Sequence, residues 1–335
     1  MQKRHPRKRA QQPAARPGQP LQVKWSRLGP LVDTRGKPFK RFYQLDTLAS
    51  AIERLLQTSG NFIQRTLSSE FGPDPVIACA FELFREGRND LVFRLNVTNT
   101  KRSRATLALV VAKNHEECSA IAQTQHQHLQ LLYERAPQFV VKPLHGGTLF
   151  LPDRHRRVTH GRELYAYVTQ WLPSYEVLHV NHRLQCTLGV RPAHTCTKAE
   201  TETVRAQIVS MAAAAYHPRK RHAIDLAAQR PGSLVARRSP TGGVKLKLTA
   251  CRKLLTLATP ARLLDHILGA SWNWTSPPFG LVPADPESFF DALGKGAGPQ
   301  AARQWIGQYF DHVEAGKLPK RKPAYLEALR QLVLK

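Results

Sequence analysis

The chain has 335 residues, 42% of them hydrophobic, enough length for two compact bodies and enough apolar content for a sizeable core. Its 50 Lys and Arg outnumber 24 Asp and Glu, a formal net charge of +26. Such an excess attracts nucleic acid, anionic surfaces or phosphorylated ligands and says nothing about fold. The five cysteines are scattered and form no CxxC pair, which argues against a disulfide framework or a zinc ribbon and for a reducing, intracellular setting. No stretch approaches the roughly 18–20 consecutive apolar residues of a membrane span. The basic N-terminus has no apolar segment after it, so it does not read as a secretory signal. A soluble protein is expected, cytoplasmic, or nucleoid or nuclear if nucleic acid is bound.

Residues 1–40 carry eleven Lys or Arg against one acid, Asp33, with frequent Pro and Gln. This composition predicts a disordered basic arm, able to touch phosphates by counterion release or simply to be solvated. Residues 41–72 follow as an N-terminal helical segment. Asp46 opens it, and Leu48, Ile52, Leu55, Leu56, Ile63 and Leu67 make one apolar face at three- and four-residue spacing. Gly60 is placed to break or bend it.

From residue 73 the period changes to that of strands. VIACAFELFREGRNDLVFRLNV reads as strand, turn, strand, with Glu86-Gly87-Arg88-Asn89-Asp90 as the turn. A third strand, ATLALVVAK, ends in Lys113. The helix EECSAIAQTQHQHLQLLYERA follows, then two strand candidates, FVVKPLHGGTLFL and ELYAYVTQWL, separated by a charged loop. His145-Gly146-Gly147 reads as a hairpin turn. His126 and His128 lie two apart on the helix, point to different faces, cannot share a metal, and read as surface residues. After Pro173 the pattern is mostly helical. KAETETVRAQIVSMAAAAY is a long helix, SLVARRSPTGGVKLKLTA a short hairpin, and prolines stand at the starts of helices near 260, 286, 299 and 323. Trp272 and Trp274 read as core anchors or a helix stop. The expected class is α+β and bilobal: residues 73–172 as a small antiparallel sheet lobe, residues 173–335 as a mostly helical lobe, and a hinge near Trp171–Pro173.

This order of elements resembles the protein kinase-like fold, and within it the branch of aminoglycoside phosphotransferases and small-molecule kinases. EGRNDLVFRL resembles the glycine turn and second strand, LVVAK the strand of the nucleotide lysine, and TQWLPSYEVL the hinge. HAIDL, GSLV and GGVKLKLTACRKL resemble the catalytic loop and metal-binding hairpin. The resemblance covers roughly residues 75–255 and implies ATP as the candidate nucleotide. Lys113 then matches the phosphate-binding lysine, Gly87 and Asn89 the glycine turn, Gln170 and Leu172 the hinge contacts, and Asp225 the catalytic-loop acid.

The same resemblance exposes missing acids. The helix position expected to hold the lysine is Gln125, and Lys247-Leu248 stand where the family has Ile-Asp. The loop Asn falls near Ser233, and no carboxylate occurs between Asp225 and Asp265. A Mg²⁺ site therefore lacks its main oxygen ligands, and no metal-ligand residue is assigned. Residues 217–253 hold ten Lys or Arg against Asp225 alone. Arg219, Lys220, Arg221, Arg237, Arg238, Lys245 and Lys247 form the expected basic patch, which repels a divalent cation. Three readings follow. The first is a degenerate, pseudokinase-like protein with weak or no phosphotransfer that scaffolds or regulates through a protein partner. The second is an atypical active phosphotransferase with Glu116, Glu117 or Asp265 supplying a missing acid. The third is a protein that binds nucleic acid or another polyanion through the arm and the basic loop.

Overall fold

The computed structural model describes residues 21–26, 45–58, 60–113, 116–151, 162–181, 183–189, 193–239, 243–256, 258–319 and 322–334. The small lobe is a six-stranded sheet. Its strands are β1 (Gln22–Ser26), β2 (Val76–Glu86), β3 (Asp90–Asn99), β4 (Arg104–Ala112), β5 (Pro143–Leu151) and β6 (Arg162–Gln170), in the order β1-β2-β3-β4-β6-β5. All neighbours pair antiparallel except β1, which runs parallel to β2. Part of the expected coil of residues 1–40 is thus a strand. Trp25 anchors it, stacked on Phe81 at 4.4 Å with its indole N–H donating to Glu53. The rest of the arm and the charged loop at 152–161 lie outside the described residues.

Alternation along the strands gives this sheet two different faces. Leu107, Leu109 and Val111 of β4 join the outer core, whereas Ala108, Val110 and Ala112 join the core shared with the large lobe. The outer face is covered by α1 (Leu45–Gln57) and α2 (Phe62–Phe71), which lie against β5. These are the expected helical segment, broken at Gly60, whose φ of 77° suits glycine. Asn61 caps α2 by accepting from the N–H groups of Ile63 and Gln64. Leu48, Ile52, Phe62 and Ile63 are each at most 2% exposed. Burying side chains of this size stabilises by roughly 1.5–3 kcal/mol each.

The inner face is crossed by α3 (Glu116–Tyr133). Here two expectations are corrected. His126 is buried, 3% exposed, and stacked on Tyr167 at 4.9 Å. One ring nitrogen, Nε2, donates to the Leu144 carbonyl at 3.0 Å, and Nδ1 accepts the Tyr165 hydroxyl at 2.8 Å. His145-Gly146-Gly147 is not a turn but the middle of β5. A Cβ on Gly146 would sit 2.5 Å from the Tyr165 hydroxyl and 2.6 Å from His126 Nδ1. Glycine serves close packing against that histidine, which is why a two-glycine run sits in a strand.

The large lobe begins with a meander that the helical composition hides: β7 (Glu176–Val180), β8 (Cys186–Leu188) and β9 (His194–Thr195). After α4 (Lys198–Ala214) comes β10 (Ala223–Ile224), then the hairpin β11 (Leu234–Arg238) and β12 (Val244–Leu248). The hairpin extends the meander into a five-stranded sheet, β12-β11-β7-β8-β9. Short pairs join β10 to β13 (Leu254–Leu255) and β14 (Ser271–Trp272) to β15 (Phe279–Gly280). Thr197 and Glu200 form a capping box at the start of α4. Helices α5 (Pro260–Gly269), α6 (Pro286–Ala297), α7 (Pro299–Glu314) and α8 (Pro323–Leu334) complete the lobe, starting at the prolines the sequence marks. Trp272 is 3% exposed, stacked on Trp274 and Phe279, a core anchor as expected. The observed class is α+β and bilobal, a small sheet lobe joined at residues 171–175 to a mostly helical lobe.

Candidate functional site

Between the lobes lies a small cavity of about 90 Å³, below the range of roughly 300–1,000 Å³ usual for ligand pockets. Val92, Ala108, Val110 and Tyr167 line it from the sheet, Val235, Thr249 and Ala250 from the large lobe, and Gln170 and Leu172 from the link. The two expected link residues therefore do face this cleft.

Lys113 does not. It follows Val111 by two residues and shares that strand's outward direction, and it is absent from the cavity wall. Its ammonium lies 3.1 Å from Glu86, with both side chains buried at 3% and 0% exposure. Glu86 stands opposite Leu91, which stands opposite Val111, so all three belong to the outward row of the sheet. The lysine's carboxylate comes from β2 and not from the helix, where Gln125 is buried without a charge. In the kinase pattern Val-Ala-Ile-Lys, alanine and lysine lie two apart on one face. Here the cleft-facing alanine is Ala108, and the residue two further on is Val110. The signal was available in the sequence: Lys113 stands an odd number of residues after that position.

Gly87 and Asn89 form the turn between β2 and β3, and the Lys113 N–H donates to the Asn89 carbonyl at 2.8 Å. Neither lines the cavity. What enters the cleft from this end is Arg85, which sequence reasoning missed. Its Nη1 donates to the Gly232 carbonyl at 3.0 Å, across the cleft, and its Nη2 lies 3.6 Å from Asp90. Gly232, at φ 88°, has no Cβ; one there would collide with this guanidinium. Arg85 so latches the end of β2 to the loop bearing Ser233, the position where the resemblance expects a metal-binding Asn.

Asp225 is 8% exposed. Its Oδ1 accepts the Ala228 N–H at 3.2 Å, and its Oδ2 lies 3.6 Å from Lys253. The carboxylate closes its own loop. Leu248, at the expected metal-binding acid, is fully buried and pairs with the Phe139–Val141 backbone. Lys247 turns away and donates to the carbonyls of Pro137 and Val140; burial lowers its pKa. Of the acids weighed as substitutes, Glu117 is exposed on α3 and Asp265 lies on α5. The expected basic patch divides. Arg219, Lys220 and Arg221 share an exposed turn before β10, whereas Arg237, Arg238 and Lys245 lie on β11 and β12 around a second pocket.

Among the described residues, one cluster of three potential metal ligands occurs, His194, Cys196 and Glu200, away from the cleft. Glu200 accepts the Thr197 N–H at 2.8 Å and Arg238 Nε at 2.8 Å. The Thr197 N–H first, then His194 and Arg238, hold its carboxyl below the usual range. Burial pushes the Cys196 thiol up to about 11. Arg238 already supplies the positive charge that a metal would bring.

The element order and the two lobes define a kinase-like fold. No family model matches the chain, and no curated protein does. Among solved structures the chain is similar to the Neurospora crassa PAN3 pseudokinase, at 12% identity and a TM-score of 0.33, covering 86% of this chain and 64% of that one. It is also similar to PAN3 (pseudokinase and C-term) in a complex with PAN2 from the same organism, at 13% identity and a TM-score of 0.32, covering 81% and 62%. The chain spans less than two thirds of the length of either.

Proposed function

We propose that this chain is a degenerate kinase-like protein, derived from the aminoglycoside phosphotransferase branch, that does not transfer phosphate and acts by binding a protein partner. The observation that carries this reading is Arg85. Its guanidinium ties the glycine turn to the loop at Gly232, and it brings a fixed cation to the space where phosphates and Mg²⁺ would lie. Phosphoryl transfer requires metal bridging the phosphates and acids to hold it. By the resemblance, Val110 on the cavity wall stands where a phosphate lysine would be and Leu248 where a metal acid would be, and both are apolar and buried. Asp90, the one acid on the cavity wall among the described residues, lies 3.6 Å from Arg85. A protein latched in one lobe arrangement presents a constant surface, which suits a scaffold.

An assay with labelled ATP, Mg²⁺ and generic protein and small-molecule acceptors tests the reading. Transfer no faster than with Asp225→Asn is expected. Turnover that Asp225→Asn abolishes would overturn it and restore the atypical enzyme, with Lys113 held by Glu86.

A further inference from the structure

The hinge edge carries an unusual surface. Phe84, Trp171 and Tyr175 all line the mouth of the cleft. Phe84 is 49% exposed and meets Trp171 edge to face at 4.8 Å. Each of the other two rings carries a guanidinium: Arg94 lies over Trp171 at 5.5 Å, and Arg237 over Tyr175 at 5.3 Å. Beside Tyr175 the second pocket opens, lined among the described residues by Arg237, Arg238 and Lys245 with Glu176 as the one acid.

Two of these cations are placed at a cost to the fold. Arg237 and Lys245 are directly opposite across β11 and β12. Like charges in that position destabilise a sheet. Arg238 is neutralised by Glu200, but among the described residues neither Arg237 nor Lys245 has a carboxylate partner. Arg94 reaches Glu82 only at 4.0 Å, and its side chain is 42% exposed. An exposed phenyl ring beside two rings that each carry a guanidinium on one face, next to a cation pair with no carboxylate partner among the described residues, matches the two halves of a nucleotide. Bases stack on aromatic faces without regard to sequence, and phosphates neutralise the charges.

We propose that the hinge edge binds single-stranded nucleic acid, with bases stacked on Phe84, Trp171 and Tyr175 and phosphates on Arg94, Arg237 and Lys245. This goes beyond the proposed function and does not depend on it, since a catalytic or a latched cleft would leave this outer edge unchanged. The strand lies across the mouth and requires neither metal nor nucleotide inside the cavity. A duplex fits poorly, because its bases are already stacked on each other. The net charge of +26 supplies the long-range attraction, and the hinge edge supplies the preference for single strands.

The test is fluorescence anisotropy of the full chain with labelled 12-nucleotide oligo(U) and oligo(dT), their duplex forms, and polyglutamate as competitor. Single strands, RNA or DNA, are expected to bind at least tenfold more tightly than duplex. Phe84→Ala, at an exposed position, should weaken single-strand binding by roughly 5- to 150-fold, the range for loss of one stacked base, with the salt slope unchanged. Arg237→Ser with Lys245→Ser should flatten the slope of log K against log salt by about 1.4, at about 0.7 per phosphate. Lys245→Glu alone should raise the melting temperature while weakening binding, so a loss of binding is not a loss of fold. Three results would each overturn the proposal: equal affinity for duplex, binding untouched by these variants and hence carried elsewhere, or polyglutamate competing as well as the oligonucleotide.

Discussion

The two faces of the small-lobe sheet are built from the same strands and have opposite chemistry. The outer face is closed. Helices α1 and α2 seal it, its rows alternate cleanly from Leu107 to Val111, and its buried ion pair, Lys113 with Glu86, is excluded from solvent. The cleft face is open and polar at its rim. Arg85 and Arg94 each leave Nε without a hydrogen bond among the described residues, and Asp90 is held only by Arg85 there. The difference teaches that a lysine's meaning depends on which face its parity assigns. One residue of offset separates a phosphate-binding lysine from a structural one.

That contrast is most readily broken at Lys113. Removing Lys113 takes one cation away from the buried Glu86 carboxylate, and breaking a buried ion pair costs up to about 3–5 kcal/mol. Lys113→Met is expected to lower stability by that amount in urea unfolding, and adding Glu86→Met should restore most of it. A Lys113→Met variant as stable as the parent would mean the lysine is not a member of the outer core.

The next largest effect is at Gly146. The added methyl of Gly146→Ala meets the Tyr165 hydroxyl and the His126 ring, and overpacking of this kind costs about 1–3 kcal/mol. Combined with Tyr165→Phe, which removes the nearest atom, the loss should be smaller than the sum of the two single changes. Additive losses would show that the contact is relieved in some other way.

Protonation gives a smaller, graded effect. Burial lowers the pKa of His126, His128 and His179 in the folded state. Unfolded imidazoles take up protons near pH 6.5 while these remain neutral, so the unfolded chain binds more protons in that window. Their contribution is complete above about pH 6.5 and is lost as pH falls below it, at up to about 1.4 kcal/mol per pH unit for each proton of difference. The urea midpoint should drop between pH 7.5 and 5.5, and His126→Gln should flatten the decline.

The smallest effect sharpens the contrast from the cleft side. Lys245→Glu replaces a like-charge pair across β11 and β12 with an opposite one, and should stabilise the fold by about 0.2–1 kcal/mol. A destabilised Lys245→Glu protein would argue that the two cations are already screened.

Much of the architecture was legible in residue order. The strand triplet from Val76 to Ala112, the helix after it and the proline-led helices of the large lobe all follow from period and punctuation. The meander at 176–195 was not, because β7, β8 and β9 are five, three and two residues long, too short for alternation to register. At the site, Gln170 and Leu172 were picked out by the hinge signature and line the cavity, and the absence of a carboxylate at Gln125 and Leu248 is a matter of residue identity. Arg85 could not be. Its role comes from a contact 147 residues away in sequence, which no local pattern encodes. The burial of His126 was equally hidden, because its partners Tyr165 and Leu144 lie on two other strands.

The central claim is that the cleft holds no metal-nucleotide complex. The most direct measurement is a thermal-shift titration with ATP, with and without Mg²⁺, on the parent protein and on Lys113→Met. A ligand at 100 times its Kd stabilises by roughly 2.7 kcal/mol, a readily visible shift. The account predicts no Mg²⁺-dependent shift in either protein, with Lys113→Met melting lower throughout. A Mg²⁺-dependent shift in the parent, whether or not Lys113→Met retains it, would contradict it.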